Sequence, residues 1–118
     1  ALTGTICTLP AASGTGDIYR FVIALAATSN ANIVKVANAT DVMAGGLNLQ
    51  QDVDVAGTLK MWQAAATDDT VTLAGAATTG GIKGGQIECI DYAAGFWAVK
   101  VFTSSGGGAE ATPFSATV

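Results

Sequence analysis

The chain has 118 residues, the size of one domain, and its formal charge of −4 includes only five basic side chains, four lysines and Arg20, with no run or stripe among them. That scatter excludes a nucleic-acid binder, which needs concentrated positive charge against phosphates. The lack of any His or Cys-x-x-Cys excludes a zinc site, and the longest apolar run, Phe21 to Ala27, is far too short to cross a bilayer.

Half of the residues are hydrophobic but only 7% are aromatic, so the core is built mainly from Ala and Val. Charged residues make up 12%, against about 25% in an average domain. The surface is therefore Thr, Ser, Ala, Gly and Asn. Such a skin suits packing against other subunits; a thermostable β domain with a neutral surface is the alternative. No signal-peptide pattern stands out, and Ala1 is the residue expected where an initiator Met has been trimmed. Cys7 and Cys89, far apart and flanked by apolar residues, read as buried free thiols, with a single disulfide as the alternative.

In chain order the prevailing period is two, the period of strands. Thr5–Leu9 is a short strand closed by Pro10, and AASGTG (Ala11–Gly16) a turn-rich loop. Asp17–Ala27 is the longest expected strand. Tyr19, Phe21, Ile23 and Leu25 alternate with Ile18, Arg20, Val22 and Ala24, and two apolar faces predict a central position. A loop from Thr28 to Asn32 leads to a strand over Ile33–Ala37.

VANATDVMAGG (Val36–Gly46) holds an Asn-x-Thr sequon and an aspartate, so glycan, metal or catalytic, and turn readings all arise. Asn38 and Thr40 can bond nearby backbone as Asx- and ST-type turns, and no second set of ligands accompanies Asp41. In Leu47–Val55 the apolar alternation is Leu47, Leu49, Val53, Val55, interrupted by Gln50-Gln51-Asp52. Gly57–Ala64 reads as a strand carrying Leu59, Met61 and Trp62, with a short helix as the alternative. After a Thr67-Asp68-Asp69 turn, Thr70–Leu73 is a strand with Val71 and Leu73 inward. Ala74–Gly85 is a mobile Gly/Thr/Ala connection.

The clearest unit is a hairpin of Gln86–Tyr92 and Phe96–Phe102 around Ala93-Ala94-Gly95, with Gly95 in the left-handed conformation of a G1 bulge. Pairing Tyr92 with Phe96 puts Glu88 opposite Lys100, and Ile87, Cys89, Trp97, Val99 and Val101 on the other face. A Ser104–Gly108 linker and an extended tail to Val118 close the chain. The expected fold is all-β, a compact antiparallel β-barrel or β-sandwich in one domain, residues 1–118, with extended terminal segments, 1–10 and 104–118.

Little in the chain suggests catalysis. Without His, the commonest general base and the usual partner of a Ser or Cys nucleophile is missing. Asp52 with Asp54, and Asp68 with Asp69, lack the further ligands of a calcium loop and the surroundings of a glycosidase pair, and read as solvated turn carboxylates. TTGGIKGG (Thr78–Gly85) has its lysine before the last glycines and a strand after them, unlike a P-loop. An enzyme, a cofactor and a metal are not expected. Trp97 alternates with Val99 and Val101 and reads as core. Trp62 divides between core and an inter-subunit contact.

Five phrases in order, TLPAASGTGDIYRFVI, VANATDVMAGG, AATDDTVTLAG, GGIKGGQIECIDYAAGFWAVKVF and EATPFSATV, resemble a family of small virion proteins of tailed bacteriophages across nearly the whole chain. Cys89 stands where that family's pattern has an aliphatic residue. The resemblance implies a structural role, foremost a capsid decoration (cement) protein on the outer head surface. Its partner would be the major capsid protein, self-association as a homotrimer would be expected, and no nucleic acid or membrane would be bound directly. Assembly in bacterial cytoplasm would leave the sequon without a glycosylating partner. A terminal segment adding a strand to a neighbour would supply reach, which makes Pro113 and Phe114, with Trp62, the candidate assembly contacts. A tail, fibre or neck component and a soluble carbohydrate-binding module are the alternatives.

Overall fold

The computed structural model describes residues 3–55, 57–75, 78–105 and 110–118. Nine strands form among them and no helix: β1 (Ile6–Thr8), β2 (Ile18–Val22), β3 (Asn32–Lys35), β4 (Leu47–Asp52), β5 (Thr58–Gln63), β6 (Thr70–Leu73), β7 (Gln86–Ala93), β8 (Phe96–Ser105) and β9 (Phe114–Ser115). They make two stacked sheets, one of four strands in the order β1-β3-β6-β9 and one of five in the order β2-β7-β8-β4-β5. The fold is a sandwich; neither sheet closes into a barrel. Both sheets are mixed rather than antiparallel, since β1 runs parallel to β3 and β4 parallel to β8.

The core lies between the sheets. Val34, Val71, Leu73 and Phe114 of the smaller sheet meet Ile87, Cys89, Trp97, Val99 and Val101 of the larger one. The hairpin forms as its alternation dictates, with Glu88 opposite Lys100 and the register kept to Asp91 opposite Trp97. A bulge between Asp91 and Ala93 then pairs Ala93, not Tyr92, with Phe96, and Gly95 takes φ 80°. Tyr19 packs edge-on against Trp97 with ring centroids 5.8 Å apart.

Several expectations are corrected. The strand from Asp17 is neither the longest nor central: it stops at Val22 and forms an edge, with Ile18 52% and Val22 66% exposed. Two apolar faces in sequence therefore do not mean two buried faces. In β4, whose alternation left the inward face open, the polar side chains are the inward ones. Asn48, Gln50 and Asp52 are buried, while Leu47 looks outward and Val53 and Val55 are exposed beyond the strand. The 78–85 connection is packed rather than mobile. A Cβ at Gly81 would come 2.7 Å from Cβ of Leu73, and one at Gly80 would come 2.5 Å from the Thr103 side chain, so glycine permits close approach there. Ser104 and Ser105 end β8 instead of opening a linker; residues 106–108 of that expected linker lie outside the described residues.

Both terminal segments pair within the chain, β1 on β3 and β9 on β6. The tail is held further by Asp69, whose Oδ1 accepts the Thr117 N–H at 2.9 Å and the Thr70 hydroxyl at 2.9 Å. Asp69 is thus a buried clamp and not the solvated turn carboxylate its sequence suggests. Asp68 does serve its turn, accepting the Ala65 N–H.

Candidate assembly surface

The VANATD corner is built around Asn38. Its Oδ1 accepts the Thr40 N–H at 3.0 Å, the Thr40 hydroxyl at 2.7 Å and the Asp41 N–H at 2.9 Å. The buried Asp41 carboxylate accepts the Ala12 N–H at 2.8 Å, which fastens this corner to the AASGTG loop. That loop is gripped again from the hairpin. Asp91 accepts the N–H groups of Ser13 and Gly14 and the Thr15 hydroxyl. The Ser13 N–H is the main cause that lowers the Asp91 carboxyl below its ordinary value, with Gly14 and Thr15 adding to it and burial opposing. These carboxylates are occupied with backbone and do structural work. Among the described residues no group of three or more His, Cys, Asp or Glu is placed to hold a metal ion. Both cysteines are free, and burial, with Glu88 adding to it, pushes the Cys89 thiol up to about 12, far from a reactive thiolate.

The unusual feature is the outward face of the five-stranded sheet. Strand registers place its side chains in rows running across all five strands. One row is Val22, Gln86, Phe102, Leu49, Met61; the next is Arg20, Glu88, Lys100, Leu47, Gln63. In the first, Val22, Phe102 and Met61 are each at least half exposed. Ile18, Leu47 and Leu59 add to the same face, and Tyr92 and Phe96 extend it at the hairpin tip, their rings 6.3 Å apart. In the second row Glu88 accepts from Arg20 at 2.9 Å and lies 3.9 Å from the Lys100 ammonium. Shallow hollows break the face; one of about 410 Å³ is walled by Leu47, Ile90, Tyr92 and Ala98. Exposed apolar residues scattered singly are ordinary, whereas several gathered on one sheet face make that face the candidate for contact with another protein.

Beneath this band, the inward face of β4 is polar, and on β5 the same face carries Thr58, Lys60 and the half-buried Trp62. Gln50 donates to the Thr78 carbonyl at 2.8 Å and to the Ser105 hydroxyl at 2.6 Å. Lys60, opposite Gln50 in register, reaches Glu110 at 3.5 Å. The outward leucines of β4 are therefore not an overflow from a full core, for the inward positions of that strand hold Asn48, Gln50 and Asp52.

Of the expected contact residues, Trp62 sits half-buried on β5, opposite Asn48. Pro113 and Phe114 are buried in the chain's own interior, Phe114 on β9 of the other sheet. Sequence reasoning missed Leu49, Leu59, Met61 and Phe102 as surface residues. The pairing of Glu88 with Lys100 carried the signal, since Gln86 and Phe102 had to share their solvent-facing side. No family model, curated protein or solved structure matches the chain.

Proposed function

We propose that the protein is a non-catalytic assembly subunit of a bacteriophage virion, a capsid decoration protein that binds the outer head surface and ties neighbouring capsomers of the major capsid protein together. The observation that carries the reading is the apolar band on the outward face of the five-stranded sheet. A stiff sheet with Val22, Leu59, Met61 and Phe102 turned to solvent around a half-buried Leu49 is suited to docking, with the Arg20–Glu88–Lys100 ladder setting orientation. The virion and the capsid come from the sequence resemblance. Multiple copies on a repeating lattice make a modest contact strong in sum.

The structure changes how such a subunit would hold on. Reach by free terminal arms gives way to docking through a preformed face, because β1 and β9 are already paired within the chain. Removing the tail would uncover the core around Phe114 rather than release a spare arm. The test is to add purified protein to expanded heads that lack it and to locate and count bound copies in images. Saturating occupancy on the head, lost in Leu49→Ser/Phe102→Ser, is the expected result. Copies confined to the tail or neck would favour a tail component, and binding only to glycans a carbohydrate module; either outcome overturns the reading.

A further inference from the structure

Among the described residues the larger sheet ends in two free edges, β2 and β5, and the smaller one in β1 and β9. Exposed edges invite pairing with other chains, and proteins blunt them with short strands, charges, prolines or bulges. Three of the four edges are blunted. β1 has three residues and β9 two, and β2 carries Arg20 at its middle. β5 is different. It has six residues, no proline and an unbroken register with β4.

Hydrogen-bond parity fixes which backbone groups of β5 are free. Ala64 N–H donates to the Gly46 carbonyl, and Val53 N–H donates to Ser105 across the other side of β4. Alternation along both ladders then turns the backbones of Thr58, Lys60 and Trp62 toward β4 and those of Leu59, Met61 and Gln63 toward the open edge. The side chains of those three outward-bonding residues are uncharged, and Leu59 and Met61 are 56% and 63% exposed. The one charge on the strand, Lys60, lies on the opposite face with its ammonium near Glu110.

We infer that β5 pairs antiparallel with β5 of a second copy of this chain, across a two-fold axis through Met61. This register is self-complementary. Met61 meets Met61, Leu59 meets Gln63, and Thr58 meets Ala64. On the inner side Lys60 meets Trp62, placing a cation beside a half-buried indole instead of beside another lysine. The axis stands perpendicular to the sheet, so outer face continues into outer face. The row Val22, Gln86, Phe102, Leu49, Met61 runs on into the same row of the partner. An isologous contact of this kind closes on itself as a dimer, with the two five-stranded sheets joined into one. The inference does not depend on the capsid reading.

Sedimentation of the purified protein across concentrations on the order of one to several hundred micromolar tests it, since a single added strand buries less than a standard interface. The expected result is a reversible monomer–dimer equilibrium, shifted fully to monomer by Met61→Pro and by Met61→Lys. Proline at 61 removes a donor that faces only the open edge, and lysine puts like charges on the axis, so both variants should keep the wild-type circular dichroism. Should either variant misfold, oxidative cross-linking decides. Met61→Cys in a Cys7→Ser background should give a disulfide-linked dimer, and Val22→Cys in the same background should not. A wild type that stays monomeric, a trimer, a dimer indifferent to both Met61 substitutions, or no cross-link at 61 would overturn the two-fold pairing.

Discussion

The two halves of the five-stranded sheet follow opposite rules. On β2, β7 and β8 the inward side chains are those of an ordinary core, Phe21, Ile87, Cys89, Trp97, Val99 and Val101. On β4 the inward side chains are Asn48, Gln50 and Asp52, and the matching face of β5 carries Thr58, an exposed Lys60 and the half-buried Trp62, while Leu47, Leu49, Leu59 and Met61 face out. Folding alone rewards the first arrangement, because burying apolar area is the main favourable contribution. The second arrangement leaves that contribution unused on the outside and needs partners for its inward polar groups, which Gln50 has and the Asn48 Oδ1 lacks among the described residues. The proposed assembly role would give this arrangement a use, since it would cover the outer face. The first half holds the chain together and the second presents a surface.

The comparison can be broken most forcefully in the apolar half. Trp97 is fully buried against Tyr19, and Trp97→Ala should lower stability by about 3–5 kcal/mol, read as a shift of the urea midpoint. A loss no larger than that of a surface substitution would deny that this half carries the fold. In the polar half, Gln50→Leu keeps the volume but removes donors to Thr78 and Ser105, at a cost of about 1–3 kcal/mol by the same measurement. A neutral or stabilising result would mean that the inward polarity is dispensable.

Asp91 sharpens the contrast through pH. Its folded carboxyl titrates below the unfolded value, so its contribution is present above the unfolded pKa of about 3.9 and is lost as pH falls toward the folded value. Asp91→Asn should lower the melting temperature at neutral pH and flatten the acid side of a Tm–pH curve; an unchanged acid limb would refute its grip on the 13–15 loop. Loss of the Asx corner by Asn38→Ala should lower the melting temperature as well, without altering assembly. The smallest effect on folding belongs to the outer face. Leu59→Ser, at a side chain 56% exposed, should change stability by no more than about 0.5 kcal/mol while reducing association in sedimentation. Equal damage to both would mean that the face is core after all.

Much of the fold was legible in local patterns. The hairpin could be read because alternation, a Gly at the turn and an opposite-charge pair all agree on one register. The Asn38 turn could be read because a short amide beside a Thr bonds its own backbone wherever it lies. Period two was legible throughout and made the chain all-β. What periodicity leaves open is its sign. Leu47-Asn48-Leu49-Gln50 alternates equally well with leucine or with amide inside, and Asp17–Ala27 looks the same at the centre of a sheet as at its edge.

The sequence by itself thus determined the strand class, the hairpin register, the local turns and the absence of a concentrated basic surface, because each depends on neighbours close along the chain or on composition. Only the tertiary structure decided which face of β4 is buried, that β2 and β5 are edges, and that Asp69 and Asp91 clamp distant segments. It also decided that Pro113 and Phe114 belong to the core. Each of these depends on a partner far away in sequence. For β4 the deciding partners were β8, which lies parallel to it and supplies Ser105, and the Thr78 carbonyl, while Glu110 meets Lys60 of the neighbouring β5. The carbonyl and hydroxyl groups of those partners made a polar interior tolerable and left the leucines for the outside.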